Sequence, residues 1–478
     1  MEKFTVRFKD EEEAKYITIA NHIRKLIDEN KVMDGEKLPS IRALSAFLNV
    51  NSVTVVSAYK KLESEGYAMQ RLGSGTYAKM KDSTRSIKKE YSSSFKRMPK
   101  ELMERCIDFT GEALSTEFFP IANFKSVLNE VLDRDGAEAL VIQEALGYEG
   151  LRETISSIFW NGKIESDDVL IVSGAQQGID IISKALINSN DYVLVEKPTY
   201  SGALSVFKSR RANILDIPIS KGGVDVEKLE KLLMKNNIRC FYVMSYFQNP
   251  SGMSYSLEAK KKILRLAEIY DFFIIEDDYL SELIFDSKIE YHTFKSLDKN
   301  DRVIYIKSFS KIFLPGIRLG YLVAPSKYKE PVENSKYNTD ISTSSIMQRA
   351  LELYINKGLW KDYINNLILA YKKRYISMEN CINDKLKGKI EFIPPGGGLN
   401  FYLKISDSIK LDSAQLYRKA KSKGVLIAPG VLFYKNPEDG KKYFRISFSN
   451  TDEDQIKKGI NILSSLLAEY QEEKWEKV

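Results

Sequence analysis

The chain has 478 residues, 43% hydrophobic and 29% charged, with a formal net charge of +7. At roughly 100–200 residues per domain this length predicts two to four domains with ample cores. The 3 cysteines form no C-x-x-C pair and the 2 histidines are too few for a His-rich metal centre, so a disulfide framework and a thiolate or His-based metal site are excluded as expectations.

No stretch approaches the ~20 apolar residues of a membrane helix. The start, Met1-Glu2-Lys3-Phe4, lacks the apolar core of a signal peptide. Both points predict a cytoplasmic chain with no membrane partner. His22 falls in a helical pattern and His292 in a loop, and each reads as an ordinary residue. Chemistry here must come from Lys, Asp, Tyr, Arg or a cofactor.

The charge is uneven. Residues 1–105 carry 21 Lys+Arg and 15 Asp+Glu, which is +6 of the +7. Residues 81–100 alone hold seven basic and two acidic side chains. A basic segment on a near-neutral body suits a polyanion partner. It suits a solvated linker equally well.

In chain order, Ile17, Ala20, Ile23 and Ile27 recur at helical spacing and predict a first helix over 16–27. Asp34-Gly35 reads as a turn. Ser40 is a suitable N-cap for a second helix reaching about Phe47. A third helix is expected from Val53 to Glu65, with Val53, Val56, Tyr59 and Leu62 as its apolar face. Residues 67–70 and 76–78 alternate as strands around the turn Leu72-Gly73-Ser74-Gly75. Three helices followed by a β-hairpin is the order of a winged helix-turn-helix. Ser52, Thr54, Ser57 and Lys60 would then line the outer face of the third helix, where short polar side chains reach base edges in the major groove. Arg42 opens the preceding helix. Arg71 flanks a wing tip whose Gly73 lets the backbone approach a sugar-phosphate chain.

The stretch "EKLPSIRALSAFLNVNSVTVVSAYKKLESEGYAMQRLGSGTYA" resembles the GntR family of bacterial repressors, a likeness that covers residues 10–80. The resemblance implies binding of double-stranded operator DNA by a dimer.

Residues 81–105, rich in Ser and basic side chains, read as a flexible linker. Beyond it, short apolar runs alternate with helical segments. Strands are expected at 169–172, 192–195, 240–244, 272–275 and 303–306, with a helix at 257–270 among the segments between them. That alternation predicts an α/β domain on a mainly parallel sheet, whose ligands bind at the carboxyl ends of strands.

The polar clusters all follow such strands. Ser173-Gly174-Ala175-Gln176 joins a strand to a helix and leaves backbone N–H groups for an anion, as many chain reversals also do. Ser308-Phe309-Ser310-Lys311, with Arg318 seven residues on, offers an amine, two hydroxyls and a guanidinium. A lone lysine is as a rule a solvated one; the apolar neighbours Phe309, Ile312, Phe313 and Leu314 argue against an exposed loop. Asp277, at the end of an apolar strand, is costly to bury without a cation; helix capping or magnesium binding would also account for it. Asn249-Pro250-Ser251-Gly252 is a turn former whose amide could bond a phenolic oxygen. Tyr200 could stack on a ring. Arg445, among alternating apolar residues, could take a carboxylate bidentately.

Together and in this order, these motifs resemble the fold type I, class I/II aminotransferases, which use pyridoxal 5′-phosphate (PLP). The likeness spans residues 106–470 and rests most on "SFSKIFLPGIRLGY" and "IIEDDY", with "SGAQQG" and "QNPSG" in support. It implies a PLP-binding domain over 106–478 with a small C-terminal α/β subdomain. It makes Lys311 the Schiff-base lysine and Asp277 the partner of the pyridine nitrogen. Asn249 and Tyr279 would bond the ring's phenolic oxygen, and Tyr200 would stack on its face. Ala175, Gln176, Ser308, Ser310 and Arg318 would hold the phosphate, and Arg445 an α-carboxylate. Tyr148 would reach the partner subunit's phosphate, in a stretch shorter than the family's usual one. A GntR-like domain ahead of such a body is the architecture of the MocR regulators. That likeness implies a head-to-tail homodimer whose internal aldimine senses an amino compound or PLP itself. The retained site residues leave transamination open beside regulation.

Overall fold

The computed structural model describes residues 2–6, 8, 14–28, 31–32, 36–71, 74–78, 87, 90–91, 105–111, 114–141, 145–340 and 342–471. The Asp34-Gly35 turn, Gly73 and most of the basic segment 81–105 lie outside them. The chain divides into two compact units, Met1–Met98 and Pro99–Val478.

The first unit has helices α1 (Lys15–Asp28), α2 (Ile41–Leu48) and α3 (Ser52–Ser64), then strands β1 (Ala68–Arg71) and β2 (Gly75–Ala78). Ser40 caps α2, its hydroxyl accepting from Ala43 N at 3.2 Å. Asn49 ends α2 in the left-handed region at φ 51°, and Asn51 caps α3 two residues later. These caps turn the chain sharply between α2 and α3. The core joins Ile19, Ile23, Leu26 and Ile27 of α1 to Leu44 and to Val55, Ala58, Tyr59 and Leu62 of α3. The expected apolar face of α3 needs correction at its start. Val53 is 67% exposed, while Val55 and Ala58 are buried. Positions 55, 58, 59 and 62 form one stripe at 3.6 residues per turn, and Val53 stands about 120° round the helix from Tyr59. β1 and β2 pair antiparallel with Arg71 opposite Gly75.

The second unit contains strands β3 (Ile107–Asp108), β4 (Val169–Val172), β5 (Tyr192–Lys197), β6 (Asn213–Ser220), β7 (Gly223–Val224), β8 (Ile238–Val243), β9 (Phe273–Asp278), β10 (Val303–Ser308) and β11 (Gly320–Val323). Further on are β12 (Ile390–Phe392), β13 (Asn400–Ile405), β14 (Val425–Leu426), β15 (Ala428–Pro429) and β16 (Tyr443–Ser447). Eight strands form one sheet in the order β4-β11-β10-β9-β8-β5-β6-β7. Pairs from β10 through β6 are parallel; β11 runs antiparallel to both neighbours, and β7 to β6. β9 and β10 run three and two residues past their expected ends. Their polar tails stay in the ladder, with Ile306 beside Asp277 and Lys307 beside Asp278. The core on one flank of this sheet includes Phe241, Val243, Ile263, Leu266 and Ile274. The C-terminal part adds a four-stranded antiparallel sheet, β12-β13-β16-β15. β14 pairs with β3 and so ties that part to the start of the unit. Among the described residues, no single helix is long and apolar enough to cross a membrane.

Candidate functional site

Because β11 is antiparallel to both β4 and β10, the carboxyl ends of β4, β5, β8, β9 and β10 all lie on one edge of the sheet. The turns that follow them carry Ser173–Gln176, Tyr200, Asn249, Tyr279 and Ser308–Lys311. A ligand site at such an edge is the rule for parallel sheets.

Asp277 is the last residue but one of β9 and is 2% exposed. Its Oδ2 accepts from Tyr242 Oη at 2.6 Å. Its Oδ1 is buried with no hydrogen-bond partner among the described residues. Burial pushes the carboxyl up to about 6, against the Tyr242 hydrogen bond and the nearby Lys307 and Lys311 charges. A buried carboxylate oxygen left open in this way suits a cation that is itself buried. Lys311 is half-buried among the buried Phe309, Ile312 and Phe313.

Beside it lies an anion cradle. The helix Ala175–Leu186 starts at Gly174, whose φ of 95° favours glycine. Ala175 and Gln176 are its first two residues, so their N–H groups have no intrahelical acceptor. A Cβ at Gly174 would lie 3.4 Å from Arg318 Nη2 and 3.6 Å from Ser310 Oγ. Arg318 Nη2 donates to Ser173 O at 2.9 Å, and Ser308 Oγ accepts from Ser310 N at 3.3 Å. Ser310 Oγ is buried and has no partner among the described residues. Tyr200 Oη donates to Gln176 Oε1 at 3.2 Å, which brings that ring to the cradle.

Arg445, on β16, is 2% exposed. Its Nη1 donates to Asn249 Oδ1 at 2.7 Å and its Nη2 to Thr110 O at 3.0 Å. Asn249 and Arg445 are thus joined although 196 residues separate them. Tyr279 Oη donates to Phe247 O at 2.7 Å, so its proton faces a backbone carbonyl. Tyr148 lies elsewhere. Its backbone N–H donates to Gln348 Oε1 at 2.7 Å, and its ring lies under the Arg349 guanidinium at 4.2 Å.

In the first unit, Arg42, Ser52 and Lys60 are exposed, and Thr54 and Ser57 are half-buried. Ser52 Oγ is 3.4 Å from Ser45 Oγ of α2. Arg71 closes β1, but its side chain and Gly73 fall outside the described residues.

A family model for aminotransferases of class I and II matches residues 112–463, and one for bacterial regulatory proteins of the gntR family matches residues 15–78. The chain belongs to the aminotransferase class I and II family. Ahead of that body it carries a gntR-family DNA-binding domain, the domain order of the MocR-type regulators. The chain is 29% identical over 473 residues to the uncharacterised HTH-type transcriptional regulator YdfD of Bacillus subtilis, covering 95% of this chain and 96% of that protein. It is 30% identical over 371 residues to aromatic-amino-acid aminotransferase 1 of Thermococcus litoralis, covering 76% of this chain and 88% of that protein. The kynurenine aminotransferase of Pyrococcus horikoshii, solved in complex with PMP, superposes with a TM-score of 0.73 at 30% identity. That match covers 80% of this chain and 98% of the other.

Several residues of the aminotransferase body escaped the sequence reading. Tyr242 reaches Asp277 from the adjacent strand β8. Gln248 Nε2 donates to Glu196 Oε2 at 2.9 Å and to Pro198 O at 2.7 Å, while its Oε1 accepts from Ser251 N at 2.9 Å. It thereby links the turn bearing Tyr200 to the turn bearing Asn249. Burial pushes the Glu196 carboxyl up to about 8. The available signal was a glutamate directly after the apolar run Tyr192-Val193-Leu194-Val195; nothing in sequence pointed to Tyr242 or to the Thr110 carbonyl.

Proposed function

We propose that this chain is a PLP-dependent DNA-binding transcription regulator of the MocR type, responsive to an amino compound or to PLP itself. The observation that carries the reading is the buried Asp277 Oδ1, without a partner among the described residues and close to Lys311, in a chain that also carries a gntR-family domain. The donor set fits the cofactor. An open buried carboxylate oxygen suits a protonated ring nitrogen, and the unpartnered Ser310 hydroxyl beside Arg318 and a helix N-terminus suits a phosphate.

When bound, PLP supplies an aldehyde that condenses with amines and a ring that withdraws electrons. Lys311 is the amine assigned to hold it. Asp277 holds the ring nitrogen's proton, and Tyr242 keeps the Asp277 carboxyl in place. Ala175, Gln176, Ser308, Ser310 and Arg318 hold the phosphate, and Tyr200 covers the ring. Asn249, whose carbonyl accepts from Arg445, and Tyr279 would bond the ring's phenolic oxygen. Arg445 takes the carboxylate of an amino-acid effector. Tyr148 serves the phosphate of the other subunit in a head-to-tail homodimer. Domain 10–80 reads operator DNA through Arg42, Ser52, Thr54, Ser57, Lys60, Arg71 and Gly73; segment 81–105 tethers it to the body 106–478. Such a chain works in the cytoplasm, where its DNA is. A ligand shifts the DNA-bound state only by binding it with different affinity from the unbound one.

The test has two arms. Borohydride treatment followed by peptide mass analysis is expected to fix a phosphopyridoxyl mass on Lys311. Duplex binding is then measured with and without PLP and a panel of amines. Failure to label Lys311, or affinities unchanged in every condition, would overturn the sensing role.

A second reading, a working aminotransferase with a DNA-binding domain, is favoured by the buried Arg445, a guanidinium that Asn249 and the Thr110 carbonyl orient and that suits a substrate carboxylate. Sustained turnover of an amino acid with a 2-oxo acid would establish it. A single turnover per chain would leave the sensor.

A further inference from the structure

We infer that Val53 is a specificity-determining residue that reads the 5-methyl group of a thymine in the operator's major groove. The inference rests on the DNA-binding reading and deepens it, since polar side chains alone were assigned to that face.

Val53 occupies the second position of α3, and its backbone N–H donates to the capping side chain of Asn51 at 3.0 Å. Its side chain is 67% exposed, whereas the stripe formed by Val55, Ala58, Tyr59 and Leu62 is buried. A lone exposed apolar residue is ordinary on a protein surface. This one stands where ordinary reasons are weak. A β-branched residue is a poor helix former, and nothing in the core holds it there. Its neighbours on the outer side are Ser52, Thr54, Ser57 and Lys60, with Arg42 exposed on α2. Val56, one turn further on, is half-buried. In helix-turn-helix domains the first turn of the second helix enters the major groove and meets base edges. There a short apolar side chain has one apolar target, the thymine methyl; the other groups on the base edges are hydrogen-bond donors and acceptors. A valine cannot reach far, so only the first turn, the part of the helix nearest the groove floor, suits such a contact.

The experiment uses the full chain. Random duplexes are selected for binding, and each thymine of the selected sequence is replaced in turn by deoxyuracil. That swap removes the methyl and keeps every base-pairing group. Loss of one buried methyl predicts about fourfold weaker binding. The expected result is at least one thymine where uracil weakens the wild type by about that factor and leaves Val53→Ser unaffected. Val53→Thr, which retains one methyl, should show an intermediate response and guards against a folding defect in the serine variant. Wild-type affinity indifferent to uracil at every position would overturn the inference, as would an equal uracil penalty in Val53→Ser. In either case selection of a sequence would leave the DNA-binding reading standing. Enrichment of no duplex would remove both.

Discussion

Asp277 and Asp278 are adjacent in β9, equally buried at 2% exposure, and differently supplied. Asp277 pairs in register with Ile306, which packs on the helix Ala175–Leu186: a Cβ at Gly178 would lie 3.2 Å from Ile306. Asp278 points to the opposite face with Lys307. There its oxygens accept from Lys307 Nζ at 3.2 Å, Ser281 Oγ at 2.8 Å and the hydroxyls of Tyr305 and Tyr291 at 2.8 and 3.2 Å. Lys307 also donates to Glu282 Oε2 at 2.9 Å. Burial pushes the Asp278 carboxyl up, but the Lys307 charge and these bonds outweigh it and hold the group below its usual range. Among the described residues Asp277 has one donor and an open oxygen, and its value is raised. One face of the strand pair is complete by itself; the other leaves a buried carboxylate oxygen without a partner among the described residues. On the proposed function, the difference separates residues that hold the fold from residues that serve a ligand.

The largest effect is expected from breaking the complete face. Lys307→Met strands Asp278 and Glu282 without a cation and should lower stability by about 3–5 kcal/mol in denaturant unfolding, since uncompensated buried charge is costly. A loss below about 1 kcal/mol would show that water or protonation supplies what Lys307 does, and the comparison would fail.

Next comes the pH response of the incomplete face. The folded value of Asp277, about 6, lies above the ordinary 3.8. Its contribution is therefore full below about pH 4 and is lost as pH rises through about 6. Cofactor-free wild type minus Asp277→Asn should change by about 3 kcal/mol between those limits, falling toward pH 7. Bound PLP should flatten that slope, because a cation beside the carboxylate removes the penalty. A slope of opposite sign would mean that Asp277 already has a cationic partner.

Tyr242→Phe removes the only donor the described residues give Asp277. A cost of about 1–3 kcal/mol and a further rise of the carboxyl's value are expected. Both are readable from the same unfolding series.

The smallest effect on stability sharpens the comparison most. Ser310→Ala deletes a buried hydroxyl that has no partner among the described residues, so cofactor-free stability should stay within about 0.5 kcal/mol. PLP affinity, followed by absorbance titration, should nevertheless fall. Unchanged affinity would remove Ser310 from the cradle.

Much of this was legible without coordinates. Lys311, Asp277 and Arg445 stood out because charged groups beside apolar strands have few stable placements. Ser40 and the Gly174 turn announced their helix starts through capping and small-residue chemistry. The two consecutive aspartates, by contrast, were not separated by periodicity; only the likeness to the aminotransferases singled out Asp277. Strand alternation says that they face apart, but not which face the helix Ala175–Leu186 covers. Val53 failed for the same reason on a helix: the period was right and the phase was not. Tyr242 and Gln248 were hidden because their partners lie 35 and 52 residues away, across strands whose order no local pattern encodes.

The linear chain by itself determined the two-part organisation, the helix and strand types and the inventory of reactive groups, since these follow from local periodicity and side-chain chemistry. Tertiary structure alone decided the phase of each element against its neighbours. That phase divides satisfied from unsatisfied polar atoms, because a hydrogen bond depends on which residues meet in space and not on which are adjacent along the backbone.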